Sequence, residues 1–260
     1  MKTKRITLIF GSGAIRNGWV PVQRALERVL KIKDISHESA YLYFAKIIYL
    51  LRFFNSNRNI KEFNRYKKLL NGIKKAIREE IQSAVKNKEV ECRRNLIEII
   101  EKLILVPSED AFEVQLDVMT TNWDMCGEEL LRREFGNDIN TIGVTYIHGN
   151  ILNDNFYLPG EVIGEPYRTS DEIMELQNIH KYALSTLKKT DKIILYGISI
   201  SPLEAELSQY LSTGLWKTDL NEICIVDVNP LLIRDRINML LESNSNVTIS
   251  HYHPDELILK

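Results

Sequence analysis

Cysteine is scarce in this chain. Cys92, Cys126 and Cys224 stand far apart and form no CxxC pair. That excludes a four-cysteine zinc site built within the chain and gives no sign of a disulfide framework. An excess of charge is also missing. The 34 Lys and Arg nearly balance the 35 Asp and Glu, for a formal charge of −1, so no global basic field draws in nucleic acid. Long apolar runs are absent too. The opening MKTKRITLIFGSG is basic, then apolar for only about six residues, shorter than a signal-peptide core. Nothing approaches the roughly 20 residues of a membrane span. The expectation is a cytoplasmic protein that engages no membrane.

What the chain does have is a composition of 44% hydrophobic and 27% charged residues, ordinary for a globular domain. Its 260 residues lie at the upper end of one domain, and residues 1–260 are read as one. Six short apolar runs read as strands: 5–10, 114–120, 142–148, 192–197, 222–228 and 246–250. Most are near-continuous Ile and Val, as expected of strands covered on both faces. Helical patterns alternate with them, and two begin with Pro, at 202 and 230, which suits a first helical position. The fold class expected is α/β, a doubly wound parallel sheet of about six strands with right-handed crossovers.

One stretch breaks the alternation. From about residue 36 to 106 there is no strand signal, and apolar residues recur every three or four positions. This predicts an all-helical insertion of three or four helices after the first strand. Its runs NRYKK, IKKAIREE and ECRRN make the region 58–94 locally basic, read as a solvated helical face. YFAKIIYLLRFF is interrupted by Lys46 and Arg52 and reads as packed core or an oligomer contact.

Polar residues collect where the strands end. The first closes on Gly11, Ser12, Gly13 and Ala14; glycines there permit a sharp turn and close approach to a phosphate. A plain tight turn is the competing reading, because the third glycine, Gly18, arrives too late for GxGxxG and no GK[ST] follows. The second strand runs into MTTNWD, where Asn122 or Asp124 would cap the next helix or face a ligand crevice. His148-Gly149 ends the third strand, Gly197-Ile198-Ser199 the fourth, and Asp227 with Asn229 the fifth. Each has a structural explanation in a cap or a satisfied histidine. Together they furnish what a nucleotide crevice needs.

In this order Gly11-Ser12-Gly13, Thr120-Thr121-Asn122-Trp123-Asp124, His148-Gly149, Gly197-Ile198-Ser199 and Asn229 resemble the sirtuin superfamily. The family's versions are GAG, T(Q/T)N(I/Y)D, HG, G(T/S)S and an Asn ending the next strand. The likeness covers roughly residues 5–35 and 112–255. Two departures matter: no cysteine module follows the HG, and AIRNGWVPV replaces GIPxFR. Arg16, Asn17 and Trp19 are the residues present in its place. The zinc-free pattern is similar to bacterial sirtuin-like proteins of the antiphage-defence type.

The resemblance implies a Rossmann-like core with NAD as substrate and no zinc. It places the pyrophosphate on backbone groups of Gly11, Ser12, Gly13 and Ala14, and a phosphate or ribose contact on Ser199. Thr121 and Gly197 join the binding set, and Asn229 holds the adenosine ribose. Asn122 orients the ribose and the attacking water, Asp124 supports that loop or the developing charge, and His148 is the general base. The implied activity is NAD hydrolysis to nicotinamide and ADP-ribose in defence by NAD depletion. The alternatives are a non-catalytic NAD or ADP-ribose sensor or assembly subunit, and, further off, a protein deacylase or ADP-ribosyltransferase. Control implies a homo-oligomer or a separate defence partner, with the helical insertion, which the nucleotide core does not require, as the candidate surface.

Overall fold

A computed structural model describes residues 3–104, 113–136, 143–152, 155–201, 205–215, 220–241 and 246–258. The chain begins with strand β1 (Thr3–Phe10), and two-residue strands β2 (Ile15–Arg16) and β3 (Glu91–Cys92) pair antiparallel outside the main sheet. The main sheet adds β4 (Glu113–Thr120), β5 (Val144–Tyr146), β6 (Lys192–Tyr196), β7 (Glu222–Val226) and β8 (Thr248–Tyr252). All six strands are parallel, in the order β5-β4-β1-β6-β7-β8. Renumbered as first to sixth, that is 3-2-1-4-5-6, the order of dinucleotide-binding folds. The runs KIILY and EICIV are central and almost wholly buried, which explains why they show no polar alternation.

The helices are α1 (Val20–Leu30), α2 (His37–Ser56), α3 (Ile60–Lys86), α4 (Asn95–Leu103), α5 (Cys126–Phe135), α6 (Ser170–Leu187), α7 (Ala205–Leu215), α8 (Pro230–Leu240) and α9 (Pro254–Ile258). Local chemistry sets several starts. Thr169 and Glu172 form a reciprocal capping box before α6, which satisfies two otherwise orphaned donors. Ser36 and Asn59 cap α2 and α3 by accepting from Ser39 and Glu62 N–H groups. Pro230 opens α8 as expected; the other expected opener, Pro202, lies outside the described residues. The last strand is shifted two residues later than its apolar pattern placed it, to Thr248–Tyr252.

Each face of the sheet has its own core. Ile9, Met119, Ile193, Leu195, Ile223 and Ile225 face α6, α7 and α8. Ile6, Leu8, Val118, Ile194 and Val226 face α4, α5 and α9. Through Leu96, Ile97, Ile99 and Ile100, α4 belongs to this second face. It is therefore the crossover helix that a doubly wound sheet requires, and the unusual part of the 36–106 stretch is α2 with α3. The short pairing of Glu91–Cys92 also corrects the expectation of no strand there. A third core joins α1, α2 and α3 with Trp123, Ile151, Phe156, Leu158 and Tyr167 from the loops above the sheet.

Candidate functional site

Because the crossovers from β1 and β6 leave in opposite directions, their carboxyl ends part and leave a crevice there. Three glycines build its base. Gly11 and Gly13 donate backbone N–H groups to the Tyr196 and Gly197 carbonyls, both at 2.9 Å. Gly197 has φ +59°, and a Cβ there would stand 2.6 Å from the Gly13 Cα. Only residues without side chains allow the two turns to interlock this way. Ala14 N–H is also engaged, by the Gly11 carbonyl. Three of the four donors assigned to a pyrophosphate are thus occupied in holding the turn.

The MTTNWD segment splits its labour. Thr120 donates its hydroxyl to the Phe10 carbonyl and accepts from Asn122 N–H. Asn122, buried, donates its side-chain amide to the Gly11 carbonyl at 3.1 Å, so it fastens β4 to the β1 turn rather than capping a helix. Asp124, one residue before the N-cap Met125, turns the chain into α5: its Oδ1 accepts from Cys126 N–H at 3.0 Å. Burial raises the Asp124 pKa, against the opposing pull of that Cys126 contact. Trp123 lines the crevice, and its indole N–H is buried without an acceptor.

His148 ends β5's connection over the same crevice. Burial lowers its pKa to about 4, opposed by a hydrogen bond with the Thr121 backbone and by the field of Glu161. The ring is therefore neutral at physiological pH. A neutral imidazole can accept a proton. Gly149 makes the turn behind it at φ +70°. On the β6 side, Ser199 precedes Ile200, which holds φ +46°. A β-branched residue in the left-handed region is strained, and such strain concentrates at ligand sites.

Gly11, Ser12, Thr121, Asn122, Asp124, His148, Gly197 and Ser199 all line this one crevice. Gly13 and Ala14 lie in the turn beneath it. Asn229 does not line it; it is exposed at the α8 start, with its N–H on Asp227 Oδ1 at 2.8 Å. Of the three residues standing in for GIPxFR, Trp19 lines the crevice. Arg16 turns outward to Glu91 at 2.8 Å, and Asn17 donates to the Glu89 carbonyl.

The helical insertion is no appendage. Tyr41 of α2 and Ile81 of α3 form a wall of the crevice. Trp19 packs 5.0 Å from Tyr41 and 6.4 Å from Trp123, centroid to centroid. These aromatic walls stand close, leaving about 60 Å³ between them, far below the roughly 300–1,000 Å³ of small-molecule sites.

Sequence reading missed the device that ties the insertion to the site. The loop after His148 carries Glu161 and Glu165, whose side chains have no exposed surface. Glu161 accepts from Lys74 Nζ at 2.9 Å, Tyr167 hydroxyl at 2.8 Å and Leu158 N–H at 2.5 Å, with Arg168 at 3.2 Å. Glu165 accepts from Arg52 and from Val162 N–H. Burial pushes the Glu161 carboxyl pKa up, but Lys74 and Arg168 outweigh it and hold the value below the usual one. Lys74, part of the run read as solvated, is in fact half-buried against this loop. The available signal was two glutamates within the Gly- and Pro-rich YLPGEVIGEPYR, where apolar neighbours leave little water for them.

No three His, Cys, Asp or Glu side chains gather as a metal site among the described residues. No protein-family model matches the chain, and no curated protein matches it at a significant level.

Proposed function

We propose that the crevice binds NAD and hydrolyses its N-glycosidic bond, as the likeness to the zinc-free sirtuin-like proteins implies. The observation that carries this is convergence. Eight residues spread from 11 to 199 line one crevice, at the strand-order reversal where dinucleotides bind. The unsatisfied Trp123 indole N–H adds a donor for a ligand acceptor.

The reaction consumes water. The C1′–N bond breaks and its electron pair goes to the nicotinamide ring nitrogen, which loses its positive charge. The water oxygen bonds to C1′, and its proton passes to the neutral ring of His148 and then to solvent. Asn122, fixed through Gly11, presents its amide oxygen to the ribose or the water. Asp124 keeps the loop in place through Cys126. An imidazole of pKa about 4 is a weak base, but an oxocarbenium-like centre is a strong electrophile and needs little help from one. Its main contribution is then to position water and to collect the proton.

The test is nicotinamide release from NAD by the purified protein, beside His148→Ala and Asn122→Ala. Each variant is expected to lose about 10²–10⁴-fold in turnover while remaining folded. The wild-type rate is expected to be flat near neutrality and to fall only as pH approaches about 4, where His148 protonates. Wild-type turnover in either variant overturns the assignment. The weak basicity of His148 also favours a second reading, an NAD or ADP-ribose sensor, which calorimetric binding without nicotinamide release would identify. In a cytoplasmic defence role, assembly would control activity. The exposed Leu42, Tyr49 and Phe53 on α2 are the proposed contact with another copy or a partner, and a steep dependence of release on protein concentration is its signature.

A further inference from the structure

The pyrophosphate of a dinucleotide is doubly charged, and the crevice itself has nothing to balance it. Asp124 is the only Asp, Glu, Lys or Arg among the described residues that line it, and a carboxyl group cannot offset phosphate. His148 is neutral near pH 7. The backbone adds little, because the N–H groups of Gly11, Gly13 and Ala14 already serve the interlocked turns. Bringing a charged group into a partly enclosed crevice without a counter-charge is costly. The counter-charge has to reach in from beyond the lining.

Arg236 stands where it can do so. It lies within α8, half-buried, and its Nη1 donates to the backbone carbonyl of Ser199. Ser199 lines the crevice just beyond β6, so the guanidinium is hydrogen-bonded to the rim itself. The group has five N–H donors, and among the described residues no carboxylate forms a salt bridge with it. Arg234 on the same helix is the contrast: its guanidinium rests on the Asp235 carboxylate at 3.0 Å.

We propose that Arg236 binds the pyrophosphate of the dinucleotide, reaching from α8 past Ser199 into the crevice. This rests on the NAD reading of the crevice and adds the residue that recognises the phosphates. A neutral carbonyl is a weaker partner for a guanidinium than a phosphate, whose charge-assisted bonds are roughly twice as strong, and the planar fork meets two phosphate oxygens at once. The exchange of Ser199 carbonyl for phosphate is therefore favourable. The scissile bond lies at His148, beyond β5, whereas Arg236 stands on the β6 side, with β4 and β1 between them in the sheet. Arg236 acts in binding and not in bond cleavage.

Titration calorimetry with ADP-ribose, which keeps the pyrophosphate and lacks the nicotinamide, tests this on the full chain. Arg236→Met is expected to bind it at least about tenfold more weakly than wild type. Arg236→Lys is expected to recover part of the loss and Arg236→Gln none, because Gln still donates to a carbonyl but brings no charge. Arg234→Met removes the same charge from the same helix and is expected to bind like wild type. Added salt should weaken binding more in wild type than in Arg236→Met. With NAD, Arg236→Met is expected to raise KM and leave kcat in place. Undiminished ADP-ribose binding by Arg236→Met overturns the proposal and leaves the NAD reading standing. Recovery by Gln as full as by Lys also overturns it, since that marks a prop for the Ser199 carbonyl. No binding of ADP-ribose by wild type at about millimolar concentration overturns both.

Discussion

A methyl group at residue 197 would sit 2.6 Å from the Gly13 Cα and 2.7 Å from the Ala14 nitrogen, on backbone at φ +59°. Neither neighbour is a movable side chain, so Gly197→Ala is expected to lose about 2 kcal/mol or more of stability. Urea unfolding measures it, and a loss near zero would mean the two turns do not interlock as described. The same position shows how far residue-level reading of the sequence reached. Glycines after strands were legible as close-approach points, but their close neighbours are each other's backbones, not only a ligand's. For Asn122 and Asp124 the sequence left cap and crevice open; the Gly11 carbonyl takes Asn122, and the Cys126 N–H takes Asp124. A partner more than 100 residues away is invisible to local pattern.

At the scale of elements, the loop after His148 is held to α2 and α3 by buried charge. Glu161→Gln would leave Lys74 and Arg168 facing each other without a counter-charge, a change expected to cost about 3–5 kcal/mol. Adding Lys74→Met should recover part of it, because one of the two stranded cations is gone. Urea midpoints for the single and double variants check this, and a neutral single variant would refute the coupling. Trp123 packs 5.3 Å from Phe156 in the same core, so its fluorescence should report the loosened loop. Most strands and helices could be read from periodicity, since Ile- and Val-rich runs and capped amphipathic helices carry their signal locally. The role of α4 could not. An amphipathic stripe such as Leu96, Ile97, Ile99 and Ile100 has the same period whether it packs on a sheet or on other helices. The Glu161 cluster was illegible for a related reason: a charge in sequence carries no mark of its burial.

For the whole molecule, two histidines, half-buried His148 and buried His180, set the response to acid. Burial lowers both His148 and His180 to about 4, with His148 adding to the shift at His180, whereas an unfolded chain binds protons near 6.5. The unfolded state therefore takes up protons first. Stability that is complete above about pH 6.5 is lost as pH falls from there to about 4. Asp124, whose carboxyl is raised by burial, acts oppositely in the carboxylate range. Chemical denaturation at a series of pH values is expected to show the decline beginning near 6.5, and His180→Leu should flatten it. An onset confined to the carboxylate range would contradict the burial assigned to these rings.

The place of β1 in the sheet bears on how the molecule comes to be folded. It lies at the centre, yet its partners on either side are 110 and 186 residues further along the chain. Closing such long loops costs entropy before any ladder forms, and topologies dominated by distant pairings fold slowly. Helices α1, α2 and α3 are contiguous and supply most of one core, so they can begin to pack while β1 still waits with both edges bare. The first strand in the sequence is thus among the last to be completed. During synthesis it is the segment most in need of shelter from other chains.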